Sequence, residues 1–375
     1  MSEFTLIVEN LRALRRVRFA PPRGVSVLVG PNGAGKTTLL LSFKFIRASL
    51  ERSPTEAFNT TFGGTGNLLS SSAKSEEEFS FGIDLEDLSW RLSFSQAASE
   101  MEGAMRESLR NGSEVIFEKS NLGTFHRGEK LPPYSDLLGL DVLNRAGKSD
   151  AHVERILDLI RGFTFFYDPD LVRLRKSGSN FSMNKHLSSR GENAFAMLDK
   201  WHSRREHRDR YDFVVDGLTA AFPKLCKDID FDKAGNTVFV RIYRPDNEQP
   251  FPISSEANGL LSMLVLLCDI AAAEPGGLVA IDEPENALHP FAIRQLVRQA
   301  DSWAMAHDLS VVFSTHSPVL LNCFNSSPGL INLVRDTDPS TPVRLDEIKN
   351  REWLNNFCLG ELYEHDEFGS NDGEA

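Results

Sequence analysis

The stretch VSVLVGPNGAGKTTLLLSF, residues 25–43, predicts the fold of the chain. Its centre, residues 30–37, matches the phosphate-loop pattern G-x-x-x-x-G-K-[ST] at every position. The apolar run before it predicts a buried strand, and we expect a helix over residues 36–49. A strand, a glycine-rich turn and a helix in this order are what a phosphate-binding loop requires.

The loop predicts ATP and Mg²⁺ as ligands. Its glycines let the backbone turn tightly, so that successive N–H groups point at phosphate oxygens. Lys36 is expected to reach the β- and γ-phosphates and to take part in catalysis, and the Thr37 hydroxyl is expected to ligate Mg²⁺. The residues expected to bind ATP through the loop are Gly30, Pro31, Asn32, Gly33, Ala34, Gly35, Lys36, Thr37 and Thr38.

A pair of acids follows an apolar run far downstream. Residues 278–281 predict a buried strand, and Asp282 and Glu283 come directly after it. Ligands bind at the carboxyl edge of an open α/β sheet, so this pair is expected beside the phosphates. We expect Asp282 to hold Mg²⁺ and Glu283 to orient the attacking water as a catalytic residue. Solvated acids at a strand-to-loop junction are the alternative interpretation.

A histidine follows the next apolar run. Residues 311–313 predict another strand, which ends in Ser314, Thr315 and His316. Taken by itself, His316 is more simply a histidine that satisfies the backbone at a strand end. Its position one strand–helix–strand step after the acid pair instead predicts a catalytic hydrogen bond to the γ-phosphate.

Composition excludes several other classes of protein. The chain is 41% hydrophobic and 25% charged, as in ordinary globular proteins, and its net charge of −12 argues against a basic coat that wraps nucleic acid. The four cysteines show neither CxxC spacing nor a Cys/His cluster, so we expect a reducing cytoplasm. The longest apolar run, residues 259–273, is shorter than the ~20 residues of a membrane span and predicts a core helix, with no membrane partner.

The spacing of the motifs predicts one ATPase fold split by an insertion, because the phosphate loop and the acid pair must meet at one ATP. We assign residues 1–80 to the N-terminal part of the ATPase head, 81–250 to an insertion that is β-rich and then helical, and 251–375 to the C-terminal part. Residues 53–80 are rich in Ser, Thr, Gly and Glu and are expected to form a loop, whereas residues 191–222 are expected to be helical.

With these motifs the sequence resembles the ABC-class ATPase heads of the RecF/SMC/overcoming-lysogenization group, in particular its stand-alone AAA-family ATPases. The resemblance rests on two sequence motifs, IDEPENALHP at residues 281–290 and FSTHSP at residues 313–318. Weaker matches lie at residues 62–64, 191–193 and 359–363. The implied fold class is α/β, a P-loop NTPase of the ABC-type ATPase-head kind with a mixed α+β insertion. The stretch after Pro318 is short, so we expect no fused nuclease domain.

The resemblance also implies partners. Such heads form head-to-tail homodimers in which each ATP lies between the phosphate loop of one subunit and an S-x-G signature segment of the other. Gly259 fits this signature, but Ala257 stands where the serine normally lies, and Ser255 is the nearest substitute. A simple helix N-cap by Ser or Asn is the alternative interpretation of this segment. Gln96 is one candidate for the glutamine that usually senses Mg²⁺.

Two hypotheses about function follow. The first is an Mg²⁺-dependent ATPase that acts in DNA transactions or anti-phage defence, beside a separately encoded effector protein such as a nuclease or toxin. The second is a nucleotide-gated scaffold that restrains a toxic partner with little turnover. DNA is a further candidate partner, through basic clusters at residues 12–23 and 202–210, although a protected edge strand and a salt-bridged helix face explain these clusters equally well or better.

Overall fold

The computed structural model describes residues 3–64, 68, 78–95, 105–131, 136–181, 186–335 and 341–365. Its strands are β1 Phe4–Leu11, β2 Leu14–Phe19, β3 Gly24–Val29, β4 Glu78–Leu85, β5 Leu88–Ser95, β6 Met105–Asn111, β7 Glu114–Ser120, β8 Gly123–His126, β9 Glu129–Lys130, β10 Phe163–Phe166, β11 Ser179–Asn180, β12 Asp228–Ala234, β13 Thr237–Arg244, β14 Asn247–Pro252, β15 Leu278–Asp282, β16 Ser310–Ser314, β17 Ile331–Leu333 and β18 Val343–Arg344.

Helices cover both sides of the strands. They are α1 Lys36–Glu51, α2 Pro54–Phe62, α3 Gly139–Arg145, α4 Ala151–Arg161, α5 Leu171–Ser177, α6 Ala194–Ser203, α7 Arg208–Ala221, α8 Asn258–Ala272, α9 Pro290–Ala306, α10 Pro318–Leu321, α11 Leu345–Ile348, α12 Arg351–Leu354 and α13 Leu359–Glu364. Among the described residues, no helix combines the length and the apolar character that a membrane crossing needs.

A six-stranded sheet positions the motifs. Its order is β10-β15-β16-β3-β17-β18, with parallel pairing from β10 to β17. The strand before the phosphate loop, β3, therefore lies next to β16, and β16 lies next to β15. This order brings the carboxyl ends of three motif-bearing strands to one edge of the sheet, as the sequence predicts.

Both faces of this sheet are buried, which explains its continuous apolar strands. Val25, Val27 and Val29 of β3 pack into one hydrophobic core with helices α8 and α9, whereas Leu28 faces a second core. The second core contains α1 and the aromatic side chains of the antiparallel sheet. The parallel sheet is thus the layer between the two cores.

An eight-stranded antiparallel sheet covers the α1 side. Its order is β2-β1-β4-β5-β6-β7-β8-β9. Strand β5 alternates buried and half-buried positions, as expected for a sheet with one face on a core. A smaller sheet of β11, β13, β12 and β14 packs against α6 in the region before α8.

The structure differs from the sequence analysis at three places. Residues 54–62 form helix α2 where a loop was expected, because Ser53 accepts a hydrogen bond from the Glu56 N–H at 3.3 Å and the Phe58 ring stacks on Phe45 at 4.3 Å. The helical span predicted over 191–222 is two helices, α6 and α7. Strand β6 was not predicted, because the buried Glu107 interrupts the apolar face that Met105 and Leu109 form.

The predicted insertion also contributes to the central sheet. Strand β10 lies within residues 81–250 and pairs in parallel with β15, with Phe166 opposite Ile281. Helix α1 and β10 pack together through Phe43 and Phe163, whose ring centroids are 5.2 Å apart. The insertion therefore returns to the central sheet before it ends, and the boundaries at 80 and 250 stay a prediction.

Candidate functional site

The phosphate-loop residues connect β3 to α1 by a path that requires glycine. Gly30, Gly33 and Gly35 have φ values of 153°, 84° and 101°. A Cβ atom at Gly30 would lie 2.1 Å from the Val334 carbonyl oxygen, and one at Gly35 would lie 2.5 Å from Leu14. The loop is therefore held against β17 and the N-terminal sheet, and it leads directly into the N-terminus of α1, where backbone N–H groups favour an anion.

The Lys36 amine lies across this loop. Its Nζ atom donates hydrogen bonds to the Gly30 carbonyl at 2.7 Å and to the Pro31 carbonyl at 3.1 Å. Burial lowers the pKa of Lys36, while the negative charges of Asp282 and Glu283 raise it. A cation, an N-terminal helix turn and two carboxylates thus share one small region. Thr38, the last residue assigned to ATP, is buried in the first turn of α1.

Thr37 and Asp282 meet directly. The Thr37 hydroxyl donates to Asp282 Oδ2 at 3.0 Å and to Oδ1 at 3.2 Å, although the two residues are 245 positions apart. Ser314, opposite Asp282 in the β15–β16 register, donates a further hydrogen bond to Oδ1. Burial raises the pKa of Asp282, and the hydrogen bonds from Ser314 and Thr37 oppose this shift.

The oxygen atoms of Thr37 and Asp282 are a donor set that suits Mg²⁺. A magnesium ion is usually held by one or two carboxylates together with water and substrate phosphates. Within the described ranges, no cluster of three or more His, Cys, Asp or Glu side chains forms a separate metal site. Thr37 and Asp282 therefore fit a cation whose coordination would be completed by water and by the phosphates of a nucleotide.

Glu283 follows Asp282 in a strained turn. Its φ of 48° is left-handed, which is uncommon for a residue with a side chain. The Glu283 N–H donates to the Ser314 carbonyl at 3.1 Å, and the Glu283 carboxylate accepts a hydrogen bond from the Asn286 amide at 3.1 Å. Both contacts fix the direction in which this carboxylate leaves the sheet edge.

His316 is held from two sides. Glu285 Oε1 accepts hydrogen bonds from the Thr315 hydroxyl at 2.5 Å and from the His316 N–H at 3.1 Å. His316 Nδ1 lies 2.7 Å from the Tyr363 hydroxyl. Burial, and then the charge of Lys36, lower the pKa of His316, while the charges of Glu283 and Asp282 raise it. The imidazole is therefore close enough to Lys36, Asp282 and Glu283 for their charges to act on it.

Several residues of this site were missed by reasoning from the sequence. Ser314 and Glu285 act through hydrogen bonds whose partners depend on strand order. Tyr363 lies in one of the weaker family matches, residues 359–363, and that match was the signal available in the sequence. Asp168 follows β10 with a φ of 43° and borders a pocket of about 120 Å³ beside Glu283. The pairing of β10 with β15, which places Asp168 there, has no marker in the sequence.

The signature candidates lie at the start of α8. Ser255 ends a short 3₁₀ turn, and its hydroxyl donates to the Pro252 carbonyl at 2.8 Å. A Cβ atom at Gly259 would lie 2.7 Å from the Ala287 carbonyl, so the loop after the acid pair packs on this helix. The alternative of a side-chain cap is not observed, because the N-cap residue is Ala257 and no side chain caps the helix.

Arg175 supports the signature segment. It donates to the Ser254 carbonyl at 2.7 Å and to Asn258 Oδ1 at 2.9 Å, and it thus spans the turn that contains Ser255. The structure does not bring Ser255 or Gly259 into hydrogen-bond contact with the phosphate loop of the same chain in the described residues. Gln96, the candidate for the magnesium-sensing glutamine, lies outside the described residues.

Arginines of both basic clusters form ion pairs with acids. Strand β2, which carries the first, is an edge strand, and Arg18 pairs there with Asp84 at 3.0 Å. In the second cluster Arg208 pairs with Asp212 at 3.0 Å and Arg210 with Glu274 at 3.3 Å. These contacts favour the protected edge and the salt-bridged helix face over a nucleic-acid surface.

Comparison with known proteins shows which family the chain resembles. A family model described as "AAA domain, putative AbiEii toxin, Type IV TA system" matches residues 25–322. The protein named "OLD nuclease" from Thermus scotoductus is 23% identical over an alignment that covers 92% of this chain. The chain spans 66% of the length of that relative.

Solved structures share the fold at low sequence identity. An SMC head bound to the C-terminal winged-helix domain of ScpA aligns with a TM-score of 0.57 and 14% identity, and the alignment covers 93% of this chain and 100% of that one. An SMC head domain with an extended coiled coil, bound to the C-terminal domain of ScpA derived from Pyrococcus furiosus, has a TM-score of 0.52 and 13% identity, with 95% and 99% covered.

Proposed function

Because the chain belongs to the family of AAA domains described above, and is an ABC-type ATPase of the RecF/SMC/overcoming-lysogenization group, we propose that it binds and hydrolyses Mg²⁺-ATP as a head-to-tail homodimer. The fold and the family carry the coarser statement of a P-loop ATPase. The residue roles, the dimer and the biological context are the proposal.

The hydrogen bond between Thr37 and Asp282 is the observation that carries this proposal. It joins the two motifs at 3.0 Å across 245 positions, beside a lysine whose amine lies over the loop carbonyls. Two oxygen ligands, one cation and a helix N-terminus are then neighbours. This combination suits a nucleoside triphosphate better than any uncharged ligand.

Each residue has a separate role in hydrolysis. The N–H groups of residues 30–37 and the Lys36 amine bind the β- and γ-phosphates. Thr37 and Asp282 would hold Mg²⁺, which would neutralise charge on the phosphate oxygens when bound. Glu283 orients a water molecule for attack on the γ-phosphorus and accepts its proton, and His316 donates a hydrogen bond to a γ-phosphate oxygen. The products are ADP and phosphate.

The dimer supplies the remaining contacts. Three polar residues are exposed at the N-terminus of α8: Ser254, Ser255 and Asn258. In the dimer this helix end would contact the γ-phosphate of the ATP that is bound by the second copy of the chain. The likeness to SMC heads supports this arrangement at the level of the fold. We propose that Ser255 and Gly259 of one subunit contact the ATP that is held by the loop of the other.

A separate effector completes the proposal. The family description names a toxin and a type IV toxin–antitoxin system, and one relative is named a nuclease. We therefore propose that the ATPase acts in DNA transactions or anti-phage defence with a separately encoded nuclease or toxin. DNA is a candidate partner of the assembled complex.

Substitution of Glu283 tests the proposed reaction. We expect Glu283→Gln to bind Mg²⁺-ATP with the affinity of the unaltered protein, to lower turnover by about a hundredfold or more, and to accumulate as an ATP-bound dimer, because the amide cannot accept the proton. Turnover is measured by phosphate release, and dimerisation by light scattering with and without ATP.

The matched control is Glu274→Gln, an exposed glutamate that pairs with Arg210 before β15. It is expected to retain full turnover and, unlike Glu283→Gln, not to accumulate as an ATP-bound dimer. Unchanged turnover in Glu283→Gln would remove the role given to Glu283. No ATP hydrolysis in the unaltered protein would contradict the proposed function itself.

The second candidate is a nucleotide-gated scaffold with little turnover. The observation that favours it is Ala257 at the position of the signature serine, where the backbone alone begins α8. Steady-state hydrolysis with and without double-stranded DNA separates the two candidates. DNA-stimulated turnover supports the ATPase that acts on DNA, whereas ATP binding with negligible turnover under both conditions supports the scaffold.

A further inference from the structure

We propose that Tyr363 is a positioning residue for His316 and that its hydroxyl holds the imidazole in the tautomer that donates from Nε2. The Tyr363 oxygen lies 2.7 Å from His316 Nδ1, a normal hydrogen-bond distance. The inference rests on the proposed function, because the role of His316 in contacting the γ-phosphate is part of that function.

The backbone of His316 is fixed independently of Tyr363. Glu285 accepts hydrogen bonds from the Thr315 hydroxyl and from the His316 N–H, so the carboxylate after the acid pair anchors the end of β16. Ser317 N–H also donates to the Thr315 hydroxyl at 2.9 Å. These contacts leave the rotation and the tautomer of the ring undetermined. The Tyr363 hydroxyl is the partner observed at Nδ1.

The chemistry of imidazole defines what the partner at Nδ1 must be able to do. A neutral histidine has one nitrogen that donates and one that accepts. A phosphate oxygen can only accept, so Nε2 must carry the proton if His316 is to contact the γ-phosphate. Nδ1 must then accept, and its partner must be a donor. A tyrosine hydroxyl meets this requirement, whereas a carboxylate at the same place would favour the opposite tautomer or the charged ring.

Helix α13 brings Tyr363 to this position through contacts with the segment that follows His316. Asn325 Oδ1 accepts a hydrogen bond from the Leu359 N–H at 3.0 Å, and Asn322 Oδ1 accepts one from the Gly360 N–H at 2.8 Å. A Cβ atom at Gly360 would lie 2.5 Å from the Pro318 carbonyl, so the two segments approach as closely as glycine allows. The placement of the tyrosine therefore depends on this close docking.

Two measurements on the full chain test the proposal with Tyr363→Phe, which keeps the ring and removes the hydroxyl. The first is the ¹⁵N spectrum of the side chains of the histidines, in which the His316 signal is identified by its loss in His316→Asn. We expect protonated Nε2 in the unaltered protein and a mixture of both tautomers in Tyr363→Phe. The second is steady-state ATP hydrolysis, where we expect kcat to fall on the order of tenfold while KM changes by less than about twofold.

Tyr211→Phe is the matched control, because this buried tyrosine also donates from its hydroxyl, to Asp228 and Ile229, but lies in α7 away from the site. It is expected to change neither the His316 signal nor kcat. Identical His316 tautomers in Tyr363→Phe and in the unaltered protein would overturn the proposal. The spectrum requires no nucleotide, so it decides the role of Tyr363 even if the protein does not hydrolyse ATP and the proposed function fails.

Discussion

At the scale of residues, the turn that carries Glu283 is strained and held from two sides. Glu283 and Ala287 have φ values of 48° and 67°, conformations that cost about 1–3 kcal/mol for residues with side chains. The Glu283 N–H is bonded to the Ser314 carbonyl, and the Ala287 carbonyl packs against Gly259. Contacts with neighbouring elements, and not local preference, therefore direct the carboxylate that we propose activates water.

Lys36 gives the most direct residue-scale prediction. Lys36→Ala removes a buried cation from the phosphate loop, and we expect it to weaken ATP binding by about 3 kcal/mol, on the order of a hundredfold. Calorimetric titration with ATP and Mg²⁺ measures this loss. Lys44→Ala is the control, because Lys44 lies on the same helix and its amine contacts the Thr60 carbonyl, at 3.5 Å, and the rings of Phe165 and Tyr167 instead of the phosphate loop. Equal affinities for Lys36→Ala and the unaltered protein would contradict the assignment of the loop.

At the scale of elements, α8 connects the signature segment to the centre of the molecule. From Leu260 to its end at Ala272 the helix is buried on every side, as its continuous apolar sequence predicts. Asp269 is an exception within it: 4% of its surface is exposed, and its Oδ2 atom has no hydrogen-bond partner in the described structure. Burial raises the pKa of Asp269 to about 7, although the charge of Arg47 opposes the shift.

Asp269 is therefore expected to make stability depend on pH. The ordinary pKa of an aspartate is 3.8, so between about pH 4 and pH 7 the folded state binds a proton that the unfolded chain does not. The free energy of unfolding then falls as the pH rises through this window and levels off above it. We expect Asp269→Asn to be more stable, relative to the unaltered protein, at pH 8 than at pH 5, by about 2 kcal/mol.

Urea denaturation at the two pH values measures this difference. The control is Asp199→Asn, because the buried Asp199 pairs with Lys233 at 2.8 Å and its loss should lower stability at pH 8. A difference between Asp269→Asn and the unaltered protein that is the same at both pH values would show that Asp269 does not ionise across this range.

Elements also differ in how well the sequence predicts them. Three strands of the central sheet, β3, β15 and β16, were predicted because uninterrupted apolar runs mark them, whereas the pairing of β10 with this sheet was not. Helix α2 was missed because its stability comes from the Ser53 cap and from aromatic packing on α1, and its composition resembles a loop. Packing partners that are distant in sequence decided this element.

At the scale of the whole molecule, we expect the dimer to depend on the start of α8. In a Glu283→Gln background, Ser255→Glu places a negative charge where the γ-phosphate of the partner's ATP is proposed to lie. We expect this double variant to bind ATP as a monomer. The dissociation constant of its ATP-dependent dimer is expected to rise at least about tenfold. Sedimentation with ATP and Mg²⁺ measures the dimer.

The control for this prediction is Ser203→Glu in the same background. Ser203 is an exposed serine at the end of α6, outside the signature segment. It should leave the dimer intact. A dimer of undiminished stability in the Ser255→Glu variant would contradict the head-to-tail arrangement, while loss of ATP binding by that variant would show that Ser255 acts within its own chain.

The sequence by itself predicted the phosphate loop, the acid pair and the histidine after β16, because each is a local pattern at the end of an apolar strand. Its resemblance to known ATPase heads predicted the ABC-type fold. Only the tertiary structure decided that β10 joins the central sheet, that Ser314 and Glu285 fix the acid pair and His316, and that Tyr363 contacts His316. These contacts follow from strand order and from helix docking. They join residues as much as 115 positions apart, as in the pairing of Phe163 with Leu278. Such residues become neighbours only when the strands and helices pack together in the folded chain.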